Sequence, residues 1–115
     1  MNEVFLEGTV VSITMVEHAA SVKPHCVCQL RVAHRNQKQQ TVSELYTINA
    51  WNRLAAWAAQ ALKSGMRVCV KGYLTQRTQQ SVVVTEVTAN RFVIQQATQP
   101  LPNAVPAQAS IPEIA

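Results

Sequence analysis

The clearest pattern in the chain is an alternation of apolar and polar side chains over residues 25–35, HCVCQLRVAHR. Because the side chains of a strand point alternately to its two faces, one face here is apolar and the other carries Arg31 and Arg35. Four further segments favour strands through alternation or through their Val, Ile, Thr and Phe content: residues 3–16, 42–51, 66–76 and 81–94. Gly8 predicts a bulge or bend in the first of them.

The spacing of the apolar residues changes from strand to helix after Trp51. Asn52 is a suitable helix N-cap, and apolar side chains then recur at helical intervals. The pair Ser64-Gly65 is a typical end of a helix, so the predicted helix extends up to it. We expect Trp57, which lies on the apolar stripe, to be buried in the core.

The predicted order of elements is three strands, one helix and two strands. A helix between the third and fourth strands can close one end of a curled sheet, which is the arrangement of the five-stranded OB barrel. A ferredoxin-like fold needs a helix between its first two strands, and the sequence shows none there. We therefore predict an all-β, five-stranded OB-fold barrel over residues 1–96. Residues 97–115 hold four of the five prolines and no periodic pattern, which predicts an extended, flexible tail.

The charged residues are unevenly distributed along the chain. Ten Lys and Arg against six Asp and Glu give a net charge of +4. All ten basic residues lie within residues 1–96, whereas Glu113 is the only charged residue of 97–115. A basic domain fits a polyanionic partner, although an ordinary solvated surface explains the charge equally well at this point. The N-terminus has no signal-peptide pattern and no apolar run approaches the ~20 residues of a membrane span, which predicts a cytoplasmic protein without membrane contact.

The three cysteines are an odd number in a chain without a secretory signal, so no disulfide framework is expected. His25, Cys26 and Cys28 have the residue types of a zinc site, but no second pair of ligands follows, and the alternation favours two core cysteines. We expect no metal and no cofactor. The carboxylates do not pair at catalytic spacing, and no Ser-His-Asp set or phosphate-binding loop is present, so we do not expect an enzyme.

Three segments of the chain carry a more specific pattern: NEVFLEGTVVS, SELYTINAWNRLAAWAAQALKSGMRVCVKGYLTQRTQ and SVVVTEVTANRFVI. An acidic residue, Glu44, begins the third strand, Trp51 ends it, and Arg53-Leu54 opens the helix. This pattern resembles the bacterial single-stranded DNA-binding proteins over about residues 2–95. The resemblance implies an OB protein that binds single-stranded DNA without strong sequence preference and protects it during DNA replication, recombination or repair.

A second resemblance leaves an alternative open. The stretch KPHCVCQLRVAHR, with its Pro-His-Cys entry, is similar to primosomal replication protein B, a related family of dimeric OB proteins. That reading implies an accessory factor in replication restart, and a third alternative is an OB module that binds only proteins. The single-stranded DNA-binding family also has stacking aromatics at three positions that hold Asn36, Leu45 and Gln79 here. Only Trp51 remains at such a position.

The outer faces of the second and third strands form the binding surface of an OB barrel. Single-strand binding needs cations that follow the phosphates and flat side chains that stack on bases. Trp51 is the candidate stacking residue, with a core position at the barrel end as the alternative, and Tyr73 is a candidate for stacking or for a subunit contact. The complete set of candidate nucleic-acid-binding residues is Arg31, Arg35, Lys38, Thr47, Asn49, Trp51, Arg53, Lys71, Tyr73 and Arg77.

The expected partners are single-stranded DNA and further copies of this chain, as a dimer or a tetramer, because a lone OB domain gains affinity by assembling. Replication proteins are a further candidate class. Tails of the resembling family typically end in a short acidic tip that docks on partner enzymes. This chain ends SIPEIA, with Glu113 as its only acidic residue after residue 96. We therefore expect the tail not to recruit replication partners in that manner.

Overall fold

The structure, a computed structural model, describes residues 1–16 and 23–96. Its elements follow the predicted order: β1 (Val4–Val16), β2 (His25–Arg35), β3 (Thr41–Trp51), α1 (Asn52–Ala61), β4 (Arg67–Gln79) and β5 (Val82–Gln96). The strands close into a barrel in the order β1-β2-β3-β5-β4, with β1 paired back to β4. The predicted OB-fold barrel with one helix between its third and fourth strands is confirmed. The predicted tail lies outside the described residues.

The barrel interior is filled by the apolar faces of the strands. Cys26, Cys28 and Leu30 of β2 are fully buried, so the alternation predicted for this strand is confirmed and both cysteines are core residues. The helix α1 packs against β1, β2 and β3. Its buried residues are Ala55 and Ala58, and Leu62 directly after it is also buried. Among the described residues, no helix has the length and apolar character needed to cross a membrane.

One strand pair that closes the barrel is parallel, whereas the other neighbouring strands are antiparallel. In this pair, which we call the seam, Ile48 and Asn49 of β3 lie opposite Val87 and Thr88 of β5. The two faces of the sheet continue across the seam. Ile48 and Val87 are buried in the barrel, and Asn49 and Thr88 lie side by side on its outer surface.

The bulge expected at Gly8 lies elsewhere. The β1–β2 register shifts between Val10 and Ser12, three residues or so further along. Gly8 is instead a point of close backbone approach, because a Cβ atom there would collide with the carbonyl oxygen of Arg31. The glycine in the sequence therefore marks the crowded centre of the strand pair and not its irregularity.

Both ends of the helix differ from the prediction. The N-cap residue is Trp51, with no side-chain capping hydrogen bond, and Asn52 adopts a positive φ of 59°. The backbone N–H of Asn52 donates to the carbonyl oxygen of Pro24 at 2.9 Å, so the start of α1 is fixed by the chain before β2 and not by a cap. The helix ends at Ala61, and Gly65, with φ of 95°, belongs to a separate turn. The backbone N–H of Gly65 donates to the carbonyl oxygen of Val10.

Two large hydrophobic side chains are exposed: Trp57, which was predicted to be buried in the core, and Leu74. Trp57 is 40% exposed at the edge of α1, because the small residues of the helix make the contact with the barrel. Leu74 is 49% exposed, because the pairing of β4 with β1 ends at Gly72 and the strand continues paired with β5 alone. The β4–β5 hairpin is therefore longer than predicted, and it turns at Gln80 and Ser81, both with positive φ.

Candidate functional site

A concave groove of about 750 Å³ lies on the outer surface of the barrel. Three of its sides come from β2, β3 and the β4–β5 hairpin, which meet across the seam. Ten of its lining residues have polar or aromatic side chains on the outer faces of their strands: His25, Gln29, Thr47, Asn49, Trp51, Tyr73, Thr75, Arg77, Glu86 and Thr88. They share one property: each points outward in the alternation of its strand, on the face opposite the barrel core.

The aromatic part of the groove is a stacked pair of rings. His25 begins β2 and lies directly opposite Trp51 at the end of β3. Their ring centroids are 3.9 Å apart and their planes differ by 3°. Trp51 remains 38% exposed, so the core position considered as an alternative for this residue is wrong.

The ring of His25 is held by Asn49. His25 Nε2 lies 2.7 Å from Asn49 Oδ1. An amide oxygen accepts and does not donate, so in this arrangement the imidazole donates its Nε2–H. The outward-facing amide of β3 thus fixes the ring that Trp51 packs on, and both Asn49 and His25 are largely buried by this contact.

A carboxylate, Glu86, forms the floor of the groove. Asn49 Nδ2 donates to Glu86 Oε1 at 2.8 Å. Arg77 binds the same carboxylate with two hydrogen bonds, from Nε to Oε1 at 3.1 Å and from Nη2 to Oε2 at 2.9 Å. The side chain of Glu86 is 8% exposed, whereas that of Arg77 is 52% exposed. A nearly buried negative charge is therefore paired with a guanidinium that reaches solvent.

The pKa values follow from this geometry. The hydrogen bonds from Arg77 hold the pKa of the Glu86 carboxyl below its usual range, against the opposing effect of burial and with help from Asn49. Glu86 in turn raises the pKa of the Arg77 guanidinium. Both groups are therefore charged at neutral pH, and the pair as a whole has no net charge.

The remaining lining combines the apolar side chains of Val16 and Val27 with polar, uncharged groups. The hydroxyls of Thr75 and Thr88 lie 2.8 Å apart, and Gln29 Nε2 donates to Thr47 Oγ1 at 3.2 Å. Such groups can exchange hydrogen bonds with the edges of a planar polar ligand. A groove with a flat ring on one side and donors and acceptors on the other suits heterocycles better than aliphatic ligands.

The structure brings five of the ten predicted site residues into the groove: Thr47, Asn49, Trp51, Tyr73 and Arg77. Four others are exposed cations around it. Arg31 follows Gln29 on the outer face of β2, Arg35 and Lys38 belong to the β2–β3 hairpin, and Arg53 follows Trp51 in the first turn of α1. These placements are compatible with a ligand that extends beyond the groove at both ends.

Lys71 lies apart from the other nine residues. It is opposite Phe5 of β1, and its Nζ is 5.8 Å from the centroid of that ring. Together with Arg91 it lines a second hollow of about 550 Å³ on the β1–β4–β5 surface. Lys71 lies between β1 and β5, whereas the pairing of β4 with β1 ends at Gly72 and the residues after it pair with β5 alone.

Two residues that organise the groove, His25 and Glu86, were not among the predicted site residues. His25 belongs to the outward-facing set of β2, and its alternation with Gln29 was a usable signal. The sequence considered His25 together with Cys26 and Cys28 as possible zinc ligands. His25 faces the groove, however, while the two cysteines face the core. Among the described residues no three potential metal ligands converge. Glu86 had no such signal, since its contact with Asn49 crosses the seam.

The model of the Single-strand binding protein family matches residues 1–99. Because this match covers most of the 115 residues, the chain belongs to that family. No curated protein matches the chain in a sequence comparison.

Several solved structures share the fold. The wild-type single-stranded DNA binding protein from Thermus aquaticus has a TM-score of 0.72 and 18% identity, over 84% of this chain and 50% of that one. The SSB domain of a protein from Synechococcus has a TM-score of 0.63 and 17% identity, over 80% and 93% of the two chains. The protein PriB from Ralstonia solanacearum has a TM-score of 0.66 and 15% identity, over 84% and 99%. This chain thus spans about half the length of the Thermus aquaticus protein.

Proposed function

We propose that this member of the single-strand binding protein family binds single-stranded DNA in the groove, with little sequence preference. The observation that carries the proposal is the half-exposed Trp51, stacked on His25 at the side of a polar groove and followed by exposed cations. Bases of a single strand expose their flat faces, and stacking on an aromatic side chain contributes about 1–3 kcal/mol per base whatever the base.

The exposed cations provide the electrostatic contribution to DNA binding. Arg31, Arg35, Lys38 and Arg53 lie outside the groove lining, where a strand leaving the groove would bring its phosphates. Thr47, Asn49 and Tyr73 contribute polar and flat surface inside. Lys71, on the separate β1–β4–β5 surface, forms no part of this proposed site.

We further propose that the protein acts as a homo-oligomer, a dimer or a tetramer, in the cytoplasm. One groove holds few nucleotides, and linked copies convert later contacts into intramolecular ones. The role proposed is protection of single strands during replication, recombination or repair, with replication proteins as candidate partners.

A second candidate is an accessory factor of the primosomal replication protein B type. It is favoured by two observations, the Pro24-His25-Cys26 entry into β2 and the almost full-length structural match to the Ralstonia solanacearum protein. Both candidates predict single-strand binding, so that activity is the first to be measured.

The test is a titration of fluorescently labelled oligo-dT, followed by anisotropy, with duplex of the same length in parallel. We expect clear preference for the single strand. If the protein neutralises about four phosphates, log K against log salt should have a slope near −3. Arg31→Ala should weaken binding and flatten this slope, whereas Arg91→Ala, an exposed arginine on the other surface, is the matched control and should do neither. Equal affinity for both forms of DNA, or no dependence on salt, would favour an OB module that binds proteins.

A further inference from the structure

The charges inside the groove are already matched to each other. Among the described lining residues, Arg77 is the only Lys or Arg and Glu86 is the only carboxylate. The guanidinium holds both carboxylate oxygens, at 2.9 and 3.1 Å. This two-point arrangement is the strong form of an arginine–carboxylate contact, and it is the one that a phosphate would need to form with the same guanidinium.

Glu86 is fixed from the other side as well. Asn49 donates to its Oε1 at 2.8 Å, and the carboxylate is 8% exposed. If Arg77 turned toward a phosphate, Glu86 would keep a nearly buried negative charge, with the amide of Asn49 still donating to it. Leaving a buried charge without its counter-ion is unfavourable, so the carboxylate competes with any incoming anion.

We infer that Glu86 is a specificity-determining residue that restrains Arg77 and thereby lowers the contribution of phosphate contacts inside the groove. The inference rests on the proposed function and goes beyond it by assigning a role to a residue outside the predicted site. With Arg77 held, the groove selects ligands that offer bare base faces to Trp51. A duplex, which presents phosphates and hides its base faces, gains little there.

The decisive variant is Glu86→Gln. Glutamine keeps an oxygen to accept from Asn49 and removes the charge that holds Arg77. Oligo-dT binding at low salt should become tighter by about three- to tenfold, and the log–log salt slope should steepen by about 0.7, the value for one additional phosphate on a single strand. Affinity for the duplex should rise by a larger factor, so the ratio of single-strand to duplex affinity should fall.

The matched control is Glu7→Gln. Glu7 is an exposed carboxylate that also pairs with an arginine, Arg67, at 3.9 Å, but it lies on the other surface of the barrel. Both substitutions change the net charge by the same amount. Because Glu7 lies away from the groove, Glu7→Gln should leave the affinity and the slope unchanged. An equal gain in the two variants would reduce the effect to overall charge and overturn the inference.

A double-mutant cycle with Arg77→Gln tests the route of the effect. The loss of affinity caused by Arg77→Gln should be larger in the Glu86→Gln background than in the parent protein, and the doubly substituted protein should lose the gained affinity. Independent, additive effects would overturn the inference. If Glu86→Gln does not fold in a melting experiment, Glu86→Asp decides: it keeps the charge, withdraws the carboxylate by one methylene and should give a smaller gain in the same direction.

A fall in affinity for folded Glu86→Gln would show that Glu86 presents Arg77 to the ligand instead of restraining it. If the proposed DNA binding itself is wrong, the parent protein will bind no oligonucleotide. In that case inorganic polyphosphate, an anion without bases, replaces the DNA. Tighter polyphosphate binding by Glu86→Gln but not by Glu7→Gln supports the restraint of Arg77, and equal binding by the two variants overturns it.

Discussion

The two tryptophans of the chain form a matched pair for separating stability from binding. Trp51 and Trp57 are 38% and 40% exposed, and in the described part of the chain they stack against His25 and Phe92, at 3.9 Å and 6.1 Å between ring centroids. Only Trp51 lines the groove. Replacing each by alanine should therefore have similar effects on folding and different effects on DNA binding.

The loss of stability can be worked from these exposures. Removing a fully buried tryptophan costs about 3–5 kcal/mol. Roughly three fifths of each side chain is buried, which scales the cost to about 2–3 kcal/mol, including the contact with the partner ring. For a domain of this size, the melting temperature of both variants should fall by on the order of 10 °C.

The binding effect should appear in one variant alone. Trp51→Ala should weaken oligo-dT binding by about 1–3 kcal/mol, the range for one base stacked on an aromatic ring. The measurement is anisotropy with labelled oligo-dT, at a temperature well below both melting transitions. Trp57→Ala at the same temperature should bind as the parent does. Equal affinities of the two variants, or a loss confined to Trp57→Ala, would refute the assignment of Trp51 as the stacking residue.

Three further predictions concern stability and reactivity. The pKa of Glu86 is lowered in the folded protein, so the charged carboxylate contributes to the free energy of unfolding above the ordinary Glu range, and this contribution is lost as the pH falls through the folded pKa. The difference in the free energy of unfolding between the parent and Glu86→Gln should therefore shrink on acidification. Burial raises the pKa of Cys28 to about 12, so a thiol reagent should leave it unmodified in the folded protein while the partly exposed Cys69 reacts. A Cβ on Gly72 would meet the backbone carbonyl of β5, so Gly72→Ala should lower the melting temperature more than Gly65→Ala, which has only its positive φ to strain.

The barrel could be predicted from the sequence because each strand has a local pattern of apolar and polar residues. Period-two alternation in β2 gave both the strand bounds and the buried faces of Cys26, Cys28 and Leu30. The helix ends were less accessible, since Asn52 is fixed by a contact with Pro24, which lies 28 residues earlier in the chain and leaves no local signal. Trp57 was assigned to the core from spacing alone, and spacing does not reveal that alanines suffice for the contact.

The candidate site was likewise predictable only in part. Outward-facing residues of β2 and β3, such as Thr47 and Trp51, follow from alternation and from the known surface of an OB barrel. The paired state of Arg77 does not follow, because its partner Glu86 is identified only when the register of the β4–β5 hairpin is known. Lys71 and Tyr73 are two positions apart and have the same parity, yet they line different surfaces, because the pairing of β4 with β1 ends at Gly72, between them.

The parallel seam has a consequence for how the barrel opens. Its two residue pairs, Ile48–Val87 and Asn49–Thr88, join segments 39 residues apart, whereas the hairpins on either side join neighbours in sequence. The seam is also short, with two residue pairs in register, so it should be among the first contacts of the barrel to break in local opening. Amide hydrogen exchange should then be faster at the seam than in the β2–β3 hairpin. Asn49 belongs to both the seam and the groove. Bound single-stranded DNA should therefore slow amide exchange along the whole seam, including residues that the DNA does not contact.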